Sequence, residues 1–359
     1  MTDKRWRELG KSLVNYSLEV KPGERVMIAM YEIESYPLAL AVYGECVKAG
    51  GFPQIQFNSE ALKHEMLRYG NEKQIGWIPE IEAYGMDWAD CYIALRGAFN
   101  LNECFDVEKD KLVKYQKAMG EISTMRWKKT RWSLVRVPNE RFAQQANVSY
   151  DKMIDMFFNA CTWEKEIEDW KKIAKALDAK GKNLRLLGEK TDLSLSYACD
   201  WEVSDGKLNI PDGEMYVTPL WNTVNGYIYF EFPATLGGRV INGLNLTFES
   251  GVVTKVKSDN NTDFVEAIIN SDEGARRLGE FAIGLNSHID ICTTDILIDE
   301  KIGGSIHVAL GRPYDENYHS SIHWDIVKDT RQNGEIQING ETVFKNGKFV
   351  NMSSVSVWS

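Results

Sequence analysis

The fold class of the first part of the chain is indicated by residues 25–57, RVMIAMYEIESYPLALAVYGECVKAGGFPQIQF. A short apolar strand at 25–30 leads into a helical pattern over 36–49, which the glycine pair at 50–51 closes. A second apolar strand follows at 52–57. This strand–helix–strand order predicts a largely parallel sheet covered by helices, because parallel strands need a long crossover connection.

The same alternation extends on both sides of this stretch. Further helices and strands are predicted in turn at 3–18, 60–87, 90–95, 108–120 and 132–137. We therefore expect residues 1–148 to form an N-terminal α/β domain, with a mostly parallel sheet and flanking helices.

The pattern changes beyond residue 148. A helical block over 152–179 is followed by short strands and hairpins, with one helix around 262–285. The strands are predicted at 184–187, 227–232, 252–256, 305–310 and 321–327. Asn339-Gly340 and Asn346-Gly347 are strong signals for two-residue hairpin turns. We expect residues 149–359 to form an α+β C-terminal domain.

Composition and charge exclude several functional classes. The chain has 42 Lys and Arg against 52 Asp and Glu, a net charge of −10, so it is a poor candidate for binding nucleic acid or an anionic membrane. No apolar run reaches membrane-spanning length, and the first residues do not resemble a signal peptide. The six scattered cysteines form no CxxC pair, which favours reduced thiols and a cytoplasmic location.

The residues that carry the chemistry are expected in the C-terminal part. There, SIHWDIV at 321–327 has the alternating pattern of a strand. Side chains alternate between the two faces of a strand, so Ile322, Trp324 and Ile326 share an apolar face. His323 and Asp325 then lie together on the opposite face, where they could bind one cation. The same pattern also fits a hydrogen-bonded histidine beside a solvated aspartate.

A second strand, SIHVAL, repeats this arrangement around His307. Its neighbours on the polar face are the small residues Ser305 and Ala309, which leave room for a metal ion or a substrate. Four of the five histidines fall within 36 residues, but His288 and His319 lack such strand positions and are expected to be bystanders.

Two carboxylates complete the candidate set. Glu214 follows the turn Pro211-Asp212-Gly213 at the start of a short strand, and Glu280 lies in a predicted helix, off its apolar stripe. Neither glutamate differs from an ordinary solvated charge by periodicity or composition.

Four motifs, in this order, resemble those of the thermophilic aminopeptidase family of the aminopeptidase T and aminopeptidase S type. They are IPDGEMYVTP, EGARRLGEFAIGLN, GGSIHVALGRPY and SIHWDIV. The resemblance covers roughly residues 185–359, and the N-terminal half adds little specificity. Members of this family are homodimeric metallo-exopeptidases that hold two divalent metal ions in the C-terminal domain.

The resemblance implies the roles of individual residues. The implied metal ligands are Glu214, Glu280, His307, His323 and Asp325. By the same resemblance, Tyr314 lies in the active site as a ligand or an oxyanion donor. Glu214 is our candidate for the carboxylate that shuttles the proton. The implied substrates are peptides with a free N-terminus, and the implied metals are zinc, cobalt or manganese.

Two other functions remain open at this point. A mononuclear iron dioxygenase that cleaves dihydroxypyridine rings shares this architecture, and His307, His323 and Asp325 could supply its ligand triad. A relative that binds peptides without catalysis is the other alternative. Glu214 and Glu280 favour two metal ions over one. The chain also departs from the family in two ways. Family members are usually longer, and the interval of 16 residues between His307 and His323 is short for the family.

Overall fold

The computed structural model describes residues 3–100, 103–125, 130–162, 166–314 and 318–350. In these ranges the chain forms two compact units. The first contains the described residues up to Cys161 together with Gly206–Ile210, and the second contains Thr162–Asp205 and the described residues from Pro211 onward. The domain boundary expected at residue 148 stays a prediction.

The described helices and strands follow one another along the whole chain. The α-helices are α1 Lys4–Ser12, α2 Tyr36–Lys48, α3 Glu60–Tyr69, α4 Glu72–Ile75, α5 Glu80–Trp88, α6 Lys109–Thr124, α7 Glu140–Gln145, α8 Tyr150–Ala160, α9 Ile167–Asp178, α10 Thr262–Ile269 and α11 Ile296–Asp299. The strands are β1 Arg25–Tyr31, β2 Phe52–Asn58, β3 Cys91–Gly97, β4 Arg131–Val137, β5 Asn183–Gly188, β6 Thr191–Ser196, β7 Glu202–Ser204, β8 Asn209–Ile210, β9 Glu214–Val217, β10 Asn225–Tyr229, β11 Ala234–Leu236, β12 Arg239–Ile241, β13 Asn245–Glu249, β14 Val252–Lys257, β15 Leu278–Gly284, β16 Ile306–Gly311, β17 His323–Lys328, β18 Glu335–Ile338, β19 Glu341–Lys345 and β20 Lys348–Phe349.

The first unit is built on the predicted parallel sheet. Its five strands run in the order β2-β1-β3-β4-β8, and every pairing between them is parallel. Strand β2 lies at the edge of the sheet. An edge position suits Pro53, because proline has no N–H to donate to a neighbouring strand. Burial increases toward the middle, where β3 is buried from Cys91 to Leu95. The α/β fold class expected of this half is confirmed.

The second unit contains a large antiparallel sheet, in the order β14-β13-β10-β6-β5-β18-β19-β20. Two of its hairpins turn at the predicted dipeptides. Asn339 and Asn346 have φ of 48°, and the glycines that follow, Gly340 and Gly347, have φ of 83° and 78°. Positive φ at both central residues is the geometry that two-residue hairpins need, and it explains the Asn-Gly signal.

A second antiparallel sheet of this unit, in the order β17-β16-β15-β9-β7, carries the five candidate metal ligands. One face of its central strands is apolar and buried, and includes Phe281, Ile283, Val308 and Trp324. Burial of these side chains fixes which face each strand turns inward, because a slip of one residue would reverse every side chain. The candidate ligands therefore all have to lie on the opposite face.

The helix predicted around 262–285 is wrong for its second half. Helix α10 ends at Ile269, a short 3₁₀ turn follows at Gly274–Arg276, and residues 278–284 form β15, buried throughout. A fully buried strand lacks a clear twofold pattern, so its apolar run can be mistaken for a helix. Glu280 consequently lies on a strand, where Ala282, two positions further on, shares its face.

The long helices predicted at 60–87 and 152–179 are each interrupted. The first becomes α3, α4 and α5, because Gly70 ends α3 and Asn71 caps α4 through a capping box with Gln74. The second becomes α8 and α9. In the described residues, no helix is both long and apolar enough to cross a membrane.

Candidate metal centre

Strand pairing brings the five predicted ligands together on one face of the second antiparallel sheet. Glu280 of β15 pairs across the sheet with Ala309 of β16, which in turn pairs with Asp325 of β17. His307, two positions before Ala309, therefore lies on the same face, and so does His323, two positions before Asp325. Glu214 joins them from β9, where it pairs with Gly284 of β15.

Small residues between the ligands keep this face open. Ala282 pairs with His307, and Gly311 pairs with His323. Ala309 and Gly284 are also small, and each of these four residues places no more than a methyl group next to the ligands. The expected small neighbour, Ala309, thus lies in the middle of the row between Glu280 and Asp325.

Glu280 lies between the two histidines. Its Oε1 is 3.4 Å from Nε2 of His307, and its Oε2 is 3.3 Å from Nε2 of His323. Nε2 of His323 is also 3.3 Å from Oδ1 of Asp325, and Nε2 of His307 is 3.5 Å from Oε2 of Glu214. One carboxylate therefore connects two separate groups of ligand atoms.

These separations fit ligands that share a cation better than they fit hydrogen bonds. Protein N–H···O bonds are usually about 2.7–3.2 Å long, whereas ligands about 2.0–2.2 Å from a tetrahedral ion lie about 3.3–3.6 Å apart. Buried Oε2 atoms of Glu214 and Glu280 have no hydrogen-bond partner among the described residues. Because an unpartnered buried carboxylate oxygen is costly, a bound cation suits both.

The orientation of His323 also fits metal binding. Its Nδ1 lies 2.7 Å from the carbonyl oxygen of Arg312, and we assign the ring proton there as the donor. Nε2 then faces Glu280 and Asp325, where its lone pair would be available to a cation that displaces the second ring proton. A backbone carbonyl that fixes the tautomer in this way is the usual outer partner of a metal-binding histidine.

The sequence analysis did not identify two further candidates for the site, Glu300 and Lys301. Carboxylate and imidazole atoms of Glu214, Glu300 and His307 lie within 4.8 Å of one another, and those of Glu280, His323 and Asp325 form a second such group. Glu300 follows α11 directly and is buried. The available signal was a charged run, Asp299 to Lys301, inside an apolar segment.

The electrostatics of the site follow from burial and close opposite charges. Burial disfavours a charged imidazole, but contact with Glu280 and the charge of Glu214 outweigh it and raise the pKa of His307 to about 9. The pKa of Glu280 falls to about 2, because the two histidines outweigh its burial. Burial raises the pKa of Glu300 to about 8, although nearby Lys301 opposes that shift. Without a cation, the histidines therefore hold protons that a bound cation would replace.

Tyr314 lies at the exposed side of the site. Its ring centroid is 5.5 Å from that of His323 and 4.9 Å from that of Tyr216, and 61% of its surface is exposed. Trp324 lies on the apolar side of the sheet, as predicted, and its Nε1–H donates to the carbonyl oxygen of Thr235 at 3.1 Å.

The other two C-terminal histidines lie outside both ligand groups of the described residues. Nε2 of His288 is 3.6 Å from Oε1 of Glu166, and His319 is exposed.

Comparisons with known proteins match nearly the whole chain. The sequence profile of the thermophilic metalloprotease (M29) family matches residues 2–349. "Aminopeptidase PepS" from Streptococcus thermophilus is 25% identical over 353 residues, which covers 85% of this chain and 83% of that protein. "Aminopeptidase 2" from Geobacillus stearothermophilus is 24% identical over 360 residues, which covers 87% and 86%.

Two solved structures share the fold. Wild-type AmpT from Thermus thermophilus matches with a TM-score of 0.82 at 19% identity, over 97% of this chain and 99% of that one. 2,5-Dihydroxypyridine dioxygenase from Pseudomonas putida KT2440 matches with a TM-score of 0.56 at 10% identity, over 96% and 97%. At these identities the two likenesses concern the fold alone.

Proposed function

Because the chain belongs to the thermophilic metalloprotease (M29) family, we propose that this metal-dependent aminopeptidase acts through two divalent ions held by its second antiparallel sheet. The observation that carries the proposal is the position of Glu280. Each of its two oxygens faces the Nε2 atom of a different histidine, at 3.4 and 3.3 Å. A single carboxylate between two ligand groups is what two neighbouring ions would share.

The proposed ligands divide into two groups around Glu280. His323 and Asp325 complete one group with Glu280, and Glu214 and His307 form the other, with Glu300 beside them. Mixed imidazole and carboxylate ligands suit zinc, cobalt or manganese. Lys301 lies 2.7 Å from Glu300 and 2.5 Å from Glu214, so its positive charge offsets part of the negative charge of this group.

The chain's own residues supply the acid–base and positioning steps. When bound, a pair of divalent ions lowers the pKa of a shared water and polarises the scissile carbonyl. A carboxylate must then accept a proton from the water and donate it to the leaving amine. Glu214 is the candidate from the sequence, but its Oε1 lies against Lys301 and Ser204 and its Oε2 faces His307, an arrangement that suits metal binding better than proton transfer. Glu300 is the second carboxylate within reach of His307, and we propose it for this role.

Tyr314 is the proposed oxyanion donor. Its ring lies beside His323 at the exposed side of the site, where a peptide would approach. A phenol at this position could donate a hydrogen bond to the developing oxyanion. We infer that the substrates are peptides with a free N-terminus, in agreement with the aminopeptidase names of the relatives.

The arrangement of the histidines argues against the iron dioxygenase. A triad of His307, His323 and Asp325 on a single iron would require both histidines in one ligand group. His307 instead groups with Glu214 and Glu300, while His323 groups with Glu280 and Asp325.

Elemental analysis of the native protein, combined with a panel of aminoacyl-p-nitroanilides, tests the proposed function. We expect two divalent ions per chain and hydrolysis of part of the panel. Chelation should remove both the ions and the activity, and added Zn²⁺, Co²⁺ or Mn²⁺ should restore them. One iron per chain with oxygen consumption would contradict the proposal, and so would the absence of hydrolysis with every metal.

We further propose a homodimer and a cytoplasmic location. Helix α2 exposes Tyr36, Leu40, Tyr43 and Val47, which lie along one stripe at helical spacing. An apolar stripe is complementary to a second copy of itself across a twofold axis, and exposed apolar patches often mark interfaces. All six cysteines are free thiols, which is typical of a reducing compartment.

A further inference from the structure

Lys301 is an unusual residue to find in this site. Its side chain is fully buried, although lysine is almost never buried without a partner. Backbone hydrogen bonds hold it in place: its N–H donates to the carbonyl oxygen of Ile298 at 3.1 Å, and its carbonyl oxygen accepts from the N–H of Asn286 at 3.0 Å. The backbone from which the ammonium group extends is thus fixed by the fold.

Three carboxylates surround this ammonium group. Nζ of Lys301 is 2.5 Å from Oε1 of Glu214, 2.7 Å from Oε1 of Glu300 and 3.5 Å from Oδ1 of Asp212. Glu214 and Glu300 are the two carboxylates of the ligand group that contains His307. In the other ligand group, of Glu280, His323 and Asp325, no described lysine or arginine lies within ion-pair distance of a carboxylate.

The contacts of Glu214 show what the ammonium group does. Oε1 forms an ion pair with Lys301 and accepts a hydrogen bond from Oγ of Ser204 at 3.1 Å. Oε2 faces Nε2 of His307 at 3.5 Å and has no hydrogen-bond partner among the described residues. With one oxygen held in this way, Glu214 offers a single oxygen in a fixed direction. Without Lys301, the carboxylate could turn or take up a proton, since a buried carboxylate without a partner is strongly disfavoured.

We propose that Lys301 is a positioning residue that holds Glu214 in a one-oxygen orientation toward the metal ion shared with His307. This inference rests on the proposed two-metal site and deepens it. Lys301 then affects only one of the two ions, because the group of Glu280, His323 and Asp325 is built without it. Loss of an outer partner of a metal ligand typically costs about 10–100-fold in metal affinity.

The test is a calorimetric titration of metal-free protein with Co²⁺, together with the visible absorption spectrum of the bound ion. In Lys301→Met we expect the affinity for one ion to fall about 10–100-fold, while the affinity for the other stays at the wild-type value. The absorption band of the weakened ion should change as Glu214 becomes mobile. Unchanged affinity for both ions, equal weakening of both, or tighter binding would overturn the inference.

Two further variants separate this effect from a loss of folding. Lys328→Met removes another fully buried lysine of the same sheet, whose Nζ lies 2.6 Å from Oε1 of Glu231. It should destabilise the protein but leave the binding of both ions unchanged. If Lys301→Met does not fold, the double variant Lys301→Met/Asp212→Asn keeps the net charge of the cluster, and the same loss of one ion is expected.

The titration also distinguishes failure of this inference from failure of the proposed function. If wild-type protein binds fewer than two Co²⁺ ions, the two-metal site itself is wrong, and Lys301 has no such role. If wild type binds two ions and Lys301→Met binds both equally well, only the role of Lys301 is wrong.

Discussion

Single residues at the site are buried and yet carry polar atoms without a hydrogen-bond partner among the described residues. Glu280 is 1% exposed, lies 3.3–3.4 Å from two imidazoles and has one oxygen without a hydrogen-bond partner among the described residues. In an ordinary core such an atom lowers the free energy of unfolding, because no interaction replaces its lost contact with water. At a metal centre the same atom is a ligand. This contrast distinguishes Glu280 from the many solvated acids of the chain.

At the residue scale, we predict the effect of His323→Ala. Loss of Nε2 removes one ligand next to Glu280 and Asp325, so turnover of aminoacyl-p-nitroanilides should fall by more than the roughly 10–100-fold that an outer partner costs. The metal content should fall below two ions per chain, and circular dichroism should show a folded protein. His288→Ala is the matched control, because His288 lies outside both ligand groups and should keep wild-type metal content.

At the element scale, strands β15, β16 and β17 act as a frame with two different faces. Paired positions alternate between bulky apolar side chains, such as Val308 opposite Ile326, and small or ligand residues, such as Ala309 opposite Asp325. The apolar face supplies the burial that locks the register, and the register in turn aligns the ligands. In the proposed site, stability and metal binding therefore depend on opposite faces of the same strands.

This division predicts different outcomes for two substitutions in β16. Ala309→Leu places a large side chain between Glu280 and Asp325, so bound metal should be lost, with a loss of stability of about 1–3 kcal/mol from overpacking. Val308→Leu adds volume to the apolar face and should lower stability while two ions remain bound. Elemental analysis and urea unfolding measure both effects. Two ions retained in Ala309→Leu would refute this division of the strand.

At the scale of the whole molecule, the apolar stripe of α2 is the proposed interface of a homodimer. Leu40 and Val47 are 51% and 54% exposed, in a helix whose other face packs with Leu38, Ala39 and Val42 buried. We predict a dimer in sedimentation velocity, and we expect Leu40→Glu to shift it to monomer, because a buried unpaired charge is strongly disfavoured.

A charge at another exposed apolar position serves as the control for assembly. Val113 of α6 is 64% exposed and lies outside the stripe, so Val113→Glu should leave the dimer intact. A wild-type monomer, or a dimer that tolerates Leu40→Glu, would show that α2 is not the interface.

The sequence by itself determined the features that depend on local patterns. Alternating strands and helices predicted the parallel sheet, Asn-Gly pairs predicted the hairpin turns at 339–340 and 346–347, and twofold alternation put Trp324 and His323 on opposite faces of β17. Each depends on the conformation of a few neighbouring residues, which φ preferences and apolar periodicity control directly.

Only the tertiary structure decided which distant residues meet. Glu280 lies on a strand instead of a helix, because burial on both faces of 278–284 outweighs its helix-like pattern. Glu300 and Lys301 follow α11, and they reach Glu214 because the backbone of Lys301 and Ile302 pairs with Asn286, just beyond β15. No local pattern encodes these contacts. They arise from the pairing of strands far apart in the chain, which the burial of the opposite, apolar face fixes.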